Sequence, residues 1–227
     1  MRASASEMAS LHKEPMPGCD VPPTATKYAD DQAIAGIAAV FRAIRATGQP
    51  VAAFADWSVV AAPRFLGRWD TDAALDRYER RGAPSVSARN VPYMSLHAVA
   101  GAVSLALGSH GTNIGAGGGP GSLAEGLLAG LTICAEGSTP GVWVVLTEWN
   151  PEPIVPDDPA SVCHAVALGL TSSAQGIRLE RGDGPTTSVA ALGRFLENDL
   201  ATAWECALGG GWRLALTKRA AEVARAA

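Results

Sequence analysis

Apolar positions fall into two alternating rhythms along this chain. In "DDQAIAGIAAVFRAIRATGQP" they recur at Ile34, Ile37, Val40, Phe41 and Ile44. That spacing predicts a helix starting at the aspartates and stopped by Gly48 and Pro50. "VAAFADWSVVAA" reads as a strand and its extension, and "DTDAALDRYERRGAP" as a capped amphipathic helix ending at Gly82. "NVPYMSLHAVAGAVSLALG" has Pro92 in a first helical turn and Gly108 at a C-cap, so a second helical stretch follows. "GTNIGAG" is a short extended piece. Ser122 to Glu125 reads as a capping box, which starts a helix running to Glu136 with Gly137 as its stop. "GVWVVLTEW" is a β-prone strand. After the loop "NPEPIVPDDPAS", the stretches "CHAVALGL" and "GIRLER" read as two strands of a hairpin. The end reads as helix, glycine turn, short strand or helix, and tail.

Alternating helices and strands predict an α/β sandwich. Residues 1–26 are polar and Pro-containing, so they read as an irregular arm before a single domain over 27–227. The helix after the glycines carries Gly126 and Gly130 inside it. Each interior glycine costs up to about 1 kcal/mol against alanine. Such a helix persists where close neighbours need its small surface, which predicts burial on nearly all sides.

Composition narrows the function. The formal net charge is −4, and Lys and Arg do not cluster, so there is no electrostatic footprint for nucleic acid. Charged residues make up only 18% of the chain. Either a partner covers part of the surface, or the small residues simply pack closely. Cys19, Cys134, Cys163 and Cys206 are scattered, with no metal-ligand spacing. Cys134 and Cys206 sit in helix-like apolar stretches and read as buried thiols. The N-terminus has no apolar signal-peptide region, and no apolar run is long enough for a membrane span. The expectation is a soluble protein of the reducing cytoplasm.

The candidate chemistry lies at "GAGGGPG", Gly115 to Gly121, just before a helix N-terminus. Free N–H groups and the helix dipole favour an anion at such a turn. A dinucleotide loop fits poorly: Gly115-x-Gly117 meets Pro120 where the next glycine is required, and the strand before it is short and polar. A G-x-S-x-G nucleophile turn is absent, and Ser122 is better explained as a cap. One alternative that stays open is a standalone enzyme using residues 115–125 to bind a nucleotide, acyl group or other anion.

From Arg89 onward the chain resembles the N-terminal half of β-ketoacyl synthases of the thiolase fold. The matching text is "VPYMSLHAVAGAVSLALGSHGTNIGAGGGPGSLAEGLLAG". Val91-Pro92, Ala100-Gly101, Gly108 and Gly111 keep register with that family without a gap. Upstream, "TKYADDQAIAGIAAVFRAIRATG" and "VAAFADWSVVAAPRFLGRW" resemble the preceding helix, strand and loop, so the likeness covers residues 26–180. The register places Pro120 where the family has its nucleophilic cysteine. Neither neighbour, Gly119 or Gly121, can attack a thioester, and the family's second half with its two catalytic histidines has no counterpart here. His12, His97, His110 and His164 match no family motif; His97 and His164 lie in apolar sequence and read as packed histidines.

The resemblance therefore implies a non-catalytic chain-length factor, with a vestigial nucleophile position and no cofactor. Half-length subunits of this kind stand beside ketosynthases that make aryl polyenes and other highly reduced polyene chains. The implied fold is one βαβαβαββ half of a thiolase sandwich, its first strand reduced or absent. The implied partner is a catalytic ketosynthase, to which an acyl carrier protein delivers chains. The implied interface is the edge strand Thr112, Asn113, Ile114, Gly115 and Ala116. The implied wall of a shared substrate tunnel is Phe65, Leu66 and Trp69.

Overall fold

The computed structural model describes residues 1–4, 7, 8, 11, 21, 26, 29–87, 91–153, 160–172 and 176–218, with residues 68–70 and 91 as backbone only. Most of the N-terminal arm, including His12 and Cys19, lies outside the described residues, as do the loop at 154–159 and the tail from 219.

In chain order the elements are β1 (Arg2–Ser4), α1 (Asp31–Thr47), β2 (Ser58–Pro63), α2 (Arg68–Arg81), α3 (Val91–Met94), α4 (His97–Leu107), β3 (Asn113–Gly115) and α5 (Ser122–Glu136). They continue with β4 (Val142–Asn150), β5 (Val162–Leu170), β6 (Ile177–Arg181), α6 (Val189–Glu197), β7 (Ala203–Gly209) and β8 (Trp212–Thr217). A five-stranded sheet has the order β1-β5-β4-β2-β3, and a second sheet the order β6-β8-β7. β2 runs parallel to both β3 and β4, while β5 is antiparallel to β4.

Helices cover both faces of the large sheet, which explains why β2 and β4 read as nearly unbroken apolar runs. Every residue of β2 and the first seven of β4 are buried. Their side chains alternate between two cores, as the pleat requires. Val59, Ala61, Trp143 and Val145 join Ile37, Val40, Phe41, Val99 and Val103 of α1 and α4. Val60, Ala62, Val144 and Leu146 join Leu123 and Leu127 of α5, Leu192 of α6 and Leu214 of β8.

α1 forms where its pattern and signals place it. The Asp30 carboxylate accepts from the Gln32 N–H at 2.8 Å, and Gly48 ends the helix at φ 69°. Elsewhere the structure departs from the sequence reading. Residues 51–54 form a 3-10 helix rather than a strand extension. Phe54 and Trp57 there meet at 4.9 Å, and each ring lies 5.3 Å from Trp143, so an aromatic cluster turns the chain before β2. The helix after Gly67 begins at Arg68, ahead of the aspartates.

Residues 2–4 are a strand on the outer edge of β5, where an irregular arm was expected. An open strand edge offers unpaired backbone groups, and β1 satisfies some of them. β5 and β6 do not form a hairpin: β5 completes the large sheet against β4, while β6 pairs with β8. Helix α6 ends at Glu197, and Cys206 lies in strand β7, not in a helix. Gly209, Gly210 and Gly211, all at positive φ, join β7 to β8 as a hairpin. Trp204, Cys206, Leu214 and Leu216 alternate onto its core-facing side. Among the described residues no helix is long and apolar enough to cross a membrane.

Candidate functional site

The glycine turn stands at the carboxyl end of β3, beside the carboxyl end of β2. Two backbone bonds tie it down: the Ala116 N–H donates to the Ala61 carbonyl at 2.8 Å, and Gly118 to Pro63 at 3.1 Å. Gly117 and Gly118 adopt φ of 84° and 95°, a region that disfavours any side chain. A Cβ on Gly117 would come within 2.6 Å of the Ser122 Cβ, and one on Gly118 within 2.6 Å of Leu96 Cδ2. Gly119 has open space around it. Only the first two of the three central glycines are therefore required by geometry.

Pro120 and Gly121 are exposed at the head of α5. Gly121, not Ser122, is the N-cap, and Ser122 is a buried first helical residue, so the reciprocal capping box does not form. The Glu125 carboxylate lies over the helix start, its Oε1 2.9 Å from where a Gly121 Cβ would stand. It occupies the place where the dipole would otherwise favour an external anion.

α5 is buried on one side only, which corrects the expectation of burial all round. Gly126 presses on Ala62 and Leu146, and Gly130 on Val144, so the two interior glycines let the helix sit close on β2 and β4. On the far side Leu128 is 44% exposed, and Glu125, Thr132 and Ala135 also face out.

The segment after β2 shares this end of the sheet. Phe65 is half-buried with φ 57°, and the Arg64 guanidinium lies 5.2 Å from its ring. Leu66 is buried in the core formed with α1 and α4. Trp69 falls in the first turn of α2, and its side chain is outside the described residues. Asn113, Ile114 and Gly115 form the outermost strand of the large sheet, flanked by Thr112 and Ala116.

Sequence reasoning missed a buried polar network behind Arg64. The Thr147 hydroxyl donates to Gln32 Oε1 at 2.9 Å, and Gln32 Nε2 donates to the Arg64 carbonyl at 3.2 Å. The Arg64 N–H donates to the Thr147 carbonyl at 2.8 Å. Glu148 is 2% exposed, accepts from the Ala190 N–H at the start of α6 at 2.9 Å, and lies 3.6 Å from the Arg64 guanidinium. The only sequence signal was Thr147-Glu148 interrupting an apolar strand.

Among the described residues the titratable groups do not assemble a catalytic centre at the turn. His164 stands opposite Glu148 in register; burial lowers its pKa, and the Glu148 charge opposes that shift. His97 is exposed at the start of α4 rather than packed. Cys134, Cys163 and Cys206 are buried free thiols. Burial pushes the Cys163 thiol well up and the Cys206 thiol up to about 11, so neither is a thiolate at neutral pH.

No protein-family model matches the sequence, and no curated protein matches it either. Solved structures do match in shape. One is a chain of a ketosynthase in complex with its chain length factor from Xenorhabdus doucetiae, at TM-score 0.58 and 11% identity, covering 94% of this chain and 92% of that one. A second is the ishigamide ketosynthase/chain length factor, at TM-score 0.51 and 18% identity over 73% of this chain and 54% of that one. A third is a beta-ketoacyl synthase from Burkholderia phymatum STM815, at TM-score 0.54 and 14% identity over 77% and 53%. The fold is that of the thiolase-like ketosynthases. The chain spans about half the length of the second and third of these matches, and nearly all of the first. In this chain a strand, a sharp turn and a helix in this order put Pro120 at the helix head.

Proposed function

We propose that the chain is a non-catalytic chain-length factor that pairs with a catalytic ketosynthase and sets the length of an acyl-carrier-protein-bound polyketide of the polyene kind. One observation carries this reading: Pro120, flanked by Gly119 and Gly121, stands exposed at the head of α5, where a condensing enzyme needs a thiolate. The matched chain of the Xenorhabdus complex, nearly equal in length to this one, supports a half-length subunit. The Glu125 carboxylate over the helix start argues against a standalone anion-binding enzyme at the same turn.

In this reading β3 is the pairing edge. Its outer side has no neighbouring strand among the described residues, and a partner strand would satisfy its backbone groups. The complex would bury about 2,000 Å² or more, as obligate pairs do. Phe65, Leu66 and Trp69 form the wall against which the growing chain stops, with the buried Leu66 holding the segment from behind. The Arg64 backbone, bonded to Gln32 and Thr147, fixes where that wall stands.

The test is acyl uptake. Purified alone and mixed with acylated carrier protein, the chain should show no added mass by intact mass spectrometry. Pro120→Cys should not restore condensation, because no histidine pair stands near the turn among the described residues. A stable acyl adduct on the wild-type chain overturns the reading.

A further inference from the structure

At the carboxyl end of β2 the chain leaves the sheet through a strained residue. Phe65 has φ 57°, and among the described residues it is the only non-glycine at positive φ. A bulky side chain is disfavoured there and stays only where its surroundings over-determine it. Pro63, two residues earlier, accepts from the Gly118 N–H at 3.1 Å, so this exit lies beside the glycine turn.

The residue before Phe65 is fixed at both backbone groups. The Arg64 N–H donates to the Thr147 carbonyl at 2.8 Å, and the Arg64 carbonyl accepts from Gln32 Nε2 at 3.2 Å. The path of the chain into Phe65 is therefore set by β4 and by the first turn of α1. The ring is held by another route. The Arg64 guanidinium lies 5.2 Å from the Phe65 ring centroid, within reach of a cation–π contact, and 3.6 Å from Glu148 Oε2. Glu148 Oε1 accepts from the Ala190 N–H at 2.9 Å, at the head of α6. A carboxylate anchored on a helix start thus faces a cation, and the cation faces the strained ring.

Stability alone does not account for this arrangement. Glu148 is 2% exposed, Arg64 Nε is buried without a hydrogen-bond partner, and 3.6 Å is too long for a hydrogen bond. A buried charge pair with such loose geometry returns little against apolar side chains of the same size. What it does supply is a fixed direction for the guanidinium and for the ring beside it. Resting on the tunnel wall proposed above, we propose that Glu148 is a positioning residue for chain length: through Arg64 it holds the Phe65 ring where the growing chain stops. Glu148 offers almost no surface of its own to that chain.

The experiment reconstitutes the full chain with the ketosynthase encoded nearest to it and reads product lengths by mass spectrometry. Phe65→Ala removes the ring. Glu148→Gln removes the charge and keeps an acceptor for the Ala190 N–H. Arg64→Met/Glu148→Gln removes both charges and leaves neither buried alone, so it should melt close to the wild type even if Glu148→Gln does not fold. Each variant should raise the share of over-length chains severalfold. Adding Phe65→Ala to Arg64→Met/Glu148→Gln should lengthen the products no further than Phe65→Ala does alone, because both act through one ring. If Phe65→Ala lengthens the chains and the charge variants do not, or if their effects add, the role of Glu148 is overturned while the wall stands. If the wild-type pair elongates chains and Phe65→Ala leaves their length unchanged, the wall and this inference both fall while the pairing stands. If the folded wild type adds nothing to the products of the ketosynthase alone, the proposed function falls with them.

Discussion

The two sides of helix α5 obey different rules. The side on the sheet is made of Gly126, Gly130, Leu123 and Leu127, pressed so close that neither glycine has room for a methyl group. The other side carries Glu125, Leu128, Thr132 and Ala135, with Leu128 almost half exposed. The small residues of this chain therefore record tight internal packing on one side. The low charge content on the other side leaves a surface suited to a protein partner. The close packing expected of the small residues holds on the inner face.

The largest expected effect lies on the inner face. Gly130→Val drives a branched side chain into Val144 and should cost about 3 kcal/mol or leave the chain unfolded. Urea denaturation reads the loss. Leu128→Ser, two residues away on the outer face, should change stability by no more than about 0.5 kcal/mol. Equal losses would erase the distinction between the two sides.

Leu66 and Trp69 sharpen the contrast around the wall. Leu66→Ala removes a core side chain beside α1 and α4 and should cost about 3 kcal/mol in a denaturation titration. Trp69→Ala should instead lengthen the products of the reconstituted pair by one or two carbon units, read by mass spectrometry, with a nearly unchanged Tm. A large fall in Tm with unchanged products would put Trp69 in the ordinary core.

The edge strand gives a third measurement. Thr112→Pro removes a backbone donor at the start of β3 and should weaken the ketosynthase complex while leaving the free chain folded. The Thr112 carbonyl accepts from Val59, and proline keeps that acceptor. Size-exclusion chromatography of the mixed proteins follows the loss.

Much of this architecture was legible because its signals are local. α1 has its cap at Asp30, its period and its stop at Gly48 within one stretch, and β4 has an apolar run that only a doubly covered strand sustains. The β5–β6 pairing was misread because a strand's partner is a non-local choice: β6 found β8, across α6 and β7. The box at Ser122 misled because the pattern does not distinguish a cap from a first helical residue; Gly121 took the cap. At the candidate site, the sharp turn and the helix after it were legible in the run of glycines and the apolar period. The network of Gln32, Arg64, Thr147 and Glu148 was not, since three separated segments meet there without any spacing to read.

The smallest expected effect is in pH. Burial holds the His164 pKa below its ordinary value, so the folded chain takes up its proton less readily than the unfolded chain. His164 thus contributes stability that is fully present above the unfolded pKa of about 6.5 and lost as pH falls toward the lower folded value. His164→Gln should flatten the fall in Tm between pH 7.5 and 5.5 without altering the acyl-uptake result.

Gly117 and Gly118 also shape what sequence drift can do at this turn. Both need positive φ and neither tolerates a methyl group, while Gly119 faces open space and Pro120 is exposed. Once a subunit no longer condenses, selection on chemistry relaxes at 119 and 120, but the backbone path still constrains 117 and 118. In the proposed reading, position 120 is free to vary, while Gly117 and Gly118 are held by the path of the backbone alone.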